Sequence, residues 1–189
     1  MIKFSILVPT VPSRLTTFYP RLINSLQEQI KNRDDVEILG FYDNKKRSVG
    51  LKRNALLNLA QGEYLTFIDD DDRVAEDYIQ SIMDTIYANP TADCIVFDCI
   101  TTINVTEKTT YSKYSKDFAY SEIGDQWRGK PAHTMVWKSS IAKRHMFPNI
   151  NNGEDMSWVA RACKEIQNEV RIDKVLYYYD FNSKSTETR

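Results

Sequence analysis

The chain has 189 residues, of which 42% are hydrophobic, 12% aromatic and 27% charged, with six Gly and six Pro. That composition excludes disorder, fibrous repeats and a mini-protein that needs staples, and the length suits one domain spanning 1–189. Lys and Arg number 25 against 26 Asp and Glu, a net charge of −1 that argues against a polyanion or nucleic-acid binder.

In chain order, Phe4 to Val8 is an apolar, β-rich run ended by Pro9, and Leu22, Ile23, Leu26 and Ile30 recur at helical spacing. Val36 to Tyr42 predicts a second strand. Leu51, Ala55, Leu56 and Leu59 predict a second helix, with Gly62 as its C′ residue, and Tyr64 to Ile68 a third strand. Tyr78, Ile79, Ile82, Met83 and Ile86 form a third helical stripe closed by Asn89-Pro90, before the strand Cys94 to Asp98. This βαβαβαβ order predicts an open, largely parallel α/β sheet with its ligand crevice at the carboxyl ends of the strands. Beyond residue 100, Thr101 to Tyr120 predicts a hairpin or flap, Ala132 to Trp137 a short strand, Met156 to Ile166 a helix, and Val170 to Phe181 a tyrosine-rich strand.

No apolar run reaches the roughly 20 residues of a membrane span. The opening segment is broken by Pro9 too soon for a secretory signal, so a cytoplasmic protein is expected. Cys94, Cys99 and Cys163 lie in apolar segments without CxxC spacing and are expected as core thiols. The sequon Asn104-Val105-Thr106 carries no weight without a secretory signal.

Charge is unevenly distributed. From Glu63 to Asp84 there are eight acids and one base, whereas Asn44 to Ala55 carries five bases and no acid. Asp69-Asp70-Asp71-Asp72 follows the third strand directly, and four successive carboxylates repel unless a cation or solvent screens them. Oxygen ligands of this kind suit Mg²⁺ or Mn²⁺, and in an extended segment Asp69 and Asp71 would face the crevice together. The alternative is a solvated acidic turn charging the N-terminus of a helix that starts near Val74. Lys45, Lys46, Arg47, Lys52 and Arg53 open the second helix, where backbone N–H groups and cations suit a phosphate. Acids for a metal beside a basic lip imply a nucleotide diphosphate bridged by the ion.

The stretch Val36 to Asn44, the segment Gly50-Leu51-Lys52-Arg53-Asn54-Ala55 and the run Ala60-Gln61-Gly62-Glu63-Tyr64 through Asp72 together resemble glycosyltransferase family 2. Gly153-Glu154-Asp155 resembles that family's Glu-Asp motif. The resemblance implies a GT-A type fold, a Rossmann-like open, mostly parallel sheet flanked by helices. Residues 1–100 would form the nucleotide-sugar-binding half and 101–189 the acceptor-side half. It further implies that Asp43 contacts the base and that Pro9, Thr10 and Arg14 line the nucleotide pocket, with Lys52, Arg53 and Asp70 on the donor. Asp69 and Asp71 would form the Asp-x-Asp element, with Asp71 the main ligand of Mn²⁺ or Mg²⁺, and Asp155 would be the catalytic base of an inverting enzyme. Where the family often has Arg-x-His, this chain has Asp180-Phe181-Asn182, so His133 and Asn182 both stay open as a third metal ligand.

The expected function is metal-dependent, inverting transfer of a sugar from a nucleotide diphosphate donor to an acceptor hydroxyl. UDP is the commonest donor nucleotide of the resembled family. The acceptor would be a glycan, a lipid-linked sugar or a protein. Gln126 to Pro148 holds five bases, two histidines, no acid, Trp127 and Trp137, and aromatic faces there suit the acceptor side, although Trp137 in an apolar strand also reads as core. The short remainder after Asp155 is expected to hold no separate acceptor domain or membrane anchor. The competing readings are a catalytically inactive GT-A module that binds a nucleotide sugar or metal, a structural calcium turn, and a nucleotidyltransferase. The last lacks a Gly-rich loop, since Pro9-Thr10-Val11-Pro12-Ser13-Arg14 contains no glycine.

Overall fold

The protein is described from a computed structural model, over residues 1–104 and 108–181. Val105 and Thr106 of the sequon, and Asn182, lie outside the described residues.

Strand β1 (Phe4–Pro9) is buried along its whole length and pairs in parallel with β2 (Val36–Phe41) on one edge and β3 (Tyr64–Phe67) on the other. Helix α1 (Phe18–Gln29) buries Leu22 and Leu26 at helical spacing. Helix α2 (Val49–Leu59) begins at Ser48, whose hydroxyl accepts from the Leu51 N–H at 3.2 Å, an N-cap of ordinary chemistry. It ends at Leu59 with Ala60 as its cap, so Gly62 is not the C′ residue that the spacing predicts. Gly62 instead lies against β1, its N–H donating to the Ser5 hydroxyl at 2.8 Å.

After β3 come the two-residue strand β4 (Arg73–Val74) and helix α3 (Tyr78–Ala88), which buries Tyr78, Ile79, Ile82, Met83 and Ile86. Val74 therefore starts no helix, and α3 has no acid in its first turn. Strand β5 (Cys94–Ile103) outruns its apolar first half and forms the predicted hairpin with β6 (Lys108–Tyr114). Strands β7 (Ser121–Ile123) and β8 (Gln126–Gly129) extend that side of the sheet. Strand β9 (Val136–Lys138) leads into the short helix α4 (Ser139–Ala142). Helix α5 (Glu154–Ala162) follows, then β10 (Glu169–Phe181), parallel to β5 and antiparallel to β4.

The strand order is β2-β1-β3-β9-β5-β6-β8-β7, with β10 on the free edge of β5. Helices flank a mostly parallel central sheet in a single domain. The exception at its centre is β9, antiparallel to both β3 and β5. The core continues beneath the site, where Phe147 stacks on Trp158 at 5.0 Å and Trp137 meets Trp158 edge-on at 4.9 Å. The three cysteines are free thiols. Among the described residues no helix is long and apolar enough to cross a membrane.

Candidate active site

The carboxyl ends of β1 and β3 open into a cavity of about 600 Å³, within the usual range for a small-molecule site. Pro9, Thr10, Arg14, Lys52, Arg53, Asp69, Asp70, Asp71 and Asp155 all line it. Residues far apart in sequence thus converge where an α/β sheet places its ligands.

The four aspartates do not run extended. The Asp72 N–H donates to the Asp69 carbonyl at 3.1 Å, so they form a turn, and each carboxylate is held separately. Asp70 accepts from the Thr10 hydroxyl and from Arg14 Nη1, both at 2.6 Å. Asp71 Oδ2 lies 2.6 Å from Arg14 Nη2. Asp72 accepts from the Tyr177 hydroxyl at 2.6 Å and from the Asp180 N–H at 3.2 Å. Arg21 donates to the carbonyls of Asp71 and Asp72. The alternative of a solvated acidic turn is excluded by burial, since Asp70 and Asp72 are each 1% exposed. Burial, reinforced by neighbouring carboxylates against the pull of Arg14, raises Asp71 to about 6, and burial together with Asp69 pushes Asp72 well above its ordinary value.

Asp69 is the opposite case. Burial opposes its charge, but Arg53 and His133 together hold it well below the ordinary range. Arg53 bridges Asp69 Oδ1 at 2.9 Å and Glu154 Oε1 at 3.3 Å, with the rings of Phe67 and Phe147 within 5.3 and 5.8 Å of its guanidinium carbon. Its Nη1 is buried without a hydrogen-bond partner among the described residues, which leaves a donor for a ligand oxygen.

Asp155 sits in the first turn of α5, whose Gly153 N-cap takes a left-handed φ of 79° that glycine adopts without strain. Its Oδ1 accepts from the Met156 N–H at 2.8 Å, and its Oδ2 lies 3.3 Å from His133 Nδ1. Burial opposes ionisation here too, but His133, Arg53 and the Met156 N–H outweigh it and bring Asp155 to about 2. The other ring nitrogen of His133 faces Asp69 Oδ2 at 3.5 Å. One imidazole therefore joins the acidic turn to the first turn of α5.

Asp43 is the expected site residue that does not reach the cavity wall. Its carboxylate accepts from the Arg47 N–H at 2.8 Å and faces Lys52 Nζ at 3.2 Å, while Lys52 also donates to the Thr10 carbonyl at 3.2 Å. Lys52 thus ties the loop after β1 to the loop after β2. Glu154, Arg21 and Tyr177 also order the site. Glu154 was legible as a motif neighbour of Asp155, whereas no local signal marks Arg21 or Tyr177.

Among the described residues no three His, Cys, Asp or Glu side chains converge as a metal cage. Asp69 and Asp71 are nevertheless hard oxygen donors lining one cavity, and burial, with a smaller contribution from the neighbouring carboxylates, raises Asp71, a cost to its charged form that a bound cation would offset. This donor set fits Mn²⁺ or Mg²⁺ held by one or two carboxylates together with substrate phosphate oxygens. Arg14 and Arg53 are the cations that balance these carboxylates in this structure.

The family model described as glycosyl transferase family 2 matches residues 34–150. No curated protein matches the sequence. Among solved structures, S. aureus TarS 1-349 aligns with a TM-score of 0.69 at 18% identity, covering 95% of this chain and 60% of that one. The same TarS 1-349 in complex with UDP aligns at 0.63 with 18% identity over 95% and 60% of the two chains. Its complex with UDP-GlcNAc gives 0.63 and 18% over 95% and 58%. The likeness is one of fold, and this chain spans about 60% of the length of the TarS structure it matches.

Proposed function

The chain belongs to glycosyl transferase family 2, and from that premise we propose that it transfers a sugar from a UDP-sugar to an acceptor hydroxyl with inversion at the anomeric carbon. The observation that carries this reading is the single cavity that joins Thr10, Arg14, Lys52 and Arg53 to the acidic turn on one side and to Asp155 on the other. The UDP and UDP-GlcNAc complexes of TarS, which shares the fold, favour uridine as the donor nucleotide.

In this mechanism the donor diphosphate lies between Arg14, Lys52 and the unpartnered Nη1 of Arg53. Asp43, which does not line the cavity, holds Lys52 in place. Asp155 takes the proton of the acceptor hydroxyl as that oxygen bonds to the anomeric carbon, and the bond from that carbon to the diphosphate breaks opposite it, releasing UDP. General-base help of this kind is worth about 10²–10⁴-fold. Against the opposing effect of burial, His133, Arg53 and the Met156 N–H favour the ionised form of Asp155, and contacts to both carboxylate oxygens fix its orientation. A Mn²⁺ or Mg²⁺ ion held by Asp71 and Asp69 would supply Lewis-acid stabilisation to the departing diphosphate. His133, between Asp69 and Asp155, is the side chain best placed to complete that ligand set.

The deciding experiment is UDP release from UDP-sugars in the presence of Mn²⁺. Wild type is expected to turn over, and Asp155→Asn to lose about 10²–10⁴-fold in transfer while still binding UDP. Full transfer by Asp155→Asn would remove the base assignment. Absence of UDP release with every donor would leave a nucleotide-sugar-binding module.

A further inference from the structure

Beside the donor cavity lies a second one of about 160 Å³, about five times a water's share of liquid volume. Tyr114, Ala132, His133 and Asp155 line both cavities, so the candidate base stands in the wall between them. Tyr120, Trp127, Lys130 and Met156 close the far side. Tyr114 and Tyr120 flank Trp127 with ring centroids at 5.4 and 5.8 Å. The indole lies on Gly129, where an added Cβ would come within 2.2 Å of the ring's Cη2, so only a bare backbone admits the ring in that position. The Lys130 ammonium donates to the Lys116 carbonyl, which holds its stem along the pocket edge.

We propose that this second cavity is the acceptor subsite and that it takes the pyranose ring of a saccharide. The proposal rests on the glycosyl-transfer reading above. Transfer requires an acceptor hydroxyl to reach Asp155 from a direction the donor does not fill, and the second cavity opens onto Asp155 from the side of β6 and β8. A pyranose carries an apolar face of C–H groups with slight positive charge, which complements the negative face of an aromatic ring. Its hydroxyls lie around the edge, where a few polar groups orient it. A peptide acceptor would need an extended groove with a row of backbone partners, and a lipid chain a long apolar tunnel. A compact pocket walled by three aromatic rings offers neither.

The tryptophans provide a direct test. Trp137 and Trp158 are 0% exposed, while Trp127 is only partly buried, so quenching of tryptophan fluorescence by acrylamide reports on this pocket. Methyl pyranosides of glucose, galactose and N-acetylglucosamine are titrated with and without UDP. At least one is expected to shield Trp127 in the wild type, and Tyr120→Ala to raise the half-protecting concentration at least tenfold. Tyr120 is 54% exposed, so its removal leaves the core intact, and Met156→Ala at a 52% exposed position provides a second variant with the same expectation. Failure of every pyranoside to shield Trp127, or shielding unchanged in both variants, overturns the proposal. UDP binding to the wild type, followed by thermal shift in parallel, separates the two readings. UDP binding without saccharide shielding removes the acceptor subsite alone, absent UDP binding removes the donor reading, and shielding without UDP binding leaves a saccharide pocket but overturns its assignment as an acceptor subsite.

Discussion

Arg53 is 3% exposed and carries a charge that Asp69 and Glu154 balance at close range. Removing one member of a buried ion pair leaves its partners desolvated, so Arg53→Met is expected to lower the unfolding free energy by about 3–5 kcal/mol in urea titrations. Arg53→Lys keeps the charge but loses the fork that spans two carboxylates and should recover only part of that. His133 touches the same network from the other side. His133→Ala frees the orientation of Asp155, and a misplaced base can cost up to about 10²-fold. Steady-state kinetics should show that loss in kcat more than in donor KM. The sequence marks Asp69 to Asp72 and Glu154-Asp155 as the chemistry-bearing residues, because acids after a strand and a motif before a helix are local signals. It does not show that the acids are buried, because charge runs ordinarily face solvent. Their partners Arg14, Arg53 and Tyr177 stand up to 108 residues away in the chain.

Helices α1 and α3 were legible because one buried face imposes a repeat on the sequence, and β1 and β3 because they are continuous apolar runs buried at every residue. In α2 the expected stripe is not the buried face, since Leu59 is exposed while Lys52, Arg53 and Asn54 are buried. Strand β4 has two residues and no room for a repeat, and the antiparallel direction of β9 is a property of its neighbours. The loop that presents Asp155 depends on α2, since the Gly50 N–H donates to the Ile150 carbonyl at 3.2 Å and a Cβ on Gly50 would lie 1.9 Å from the Pro148 carbonyl oxygen. Gly50→Ala must displace that loop and is expected to cost about 1–3 kcal/mol by thermal denaturation, with a larger proportional loss of turnover. Strands β4 and β10 are joined by the Arg73 guanidinium, which meets both oxygens of Asp180 at 2.5 and 2.9 Å. That hydrogen bonding lowers the Asp180 pKa. The stabilisation is therefore present above the ordinary carboxylate value and is lost as pH falls through the lower folded value. Arg73 is 49% exposed, so the pair contributes under about 1 kcal/mol, and Asp180→Asn should remove that increment of acid-side pH dependence.

On the scale of the molecule, residues from β1 to α5 meet in one cavity, so a ligand there links most of the chain to a single equilibrium. UDP at 100 times its Kd is expected to stabilise the native state by about 2.7 kcal/mol, which for a chain of this length is about 5–11 °C in Tm. A differential scanning experiment checks it, and no shift at saturating UDP with Mn²⁺ would count against the donor reading. Strand β9 has a separate consequence. It comes from the later part of the sequence yet sits between β3 and β5, and those two strands have no contact of their own in the sheet order. A chain severed between Asn104 and Lys108 would leave its first fragment with a gap in the middle of the sheet, while the second would hold the strand that fills it. Neither fragment should unfold cooperatively alone, and mixing the two should restore one transition and the UDP response together. The protein is thus a natural candidate for fragment complementation, in which recovered activity reports that two separately expressed pieces have met.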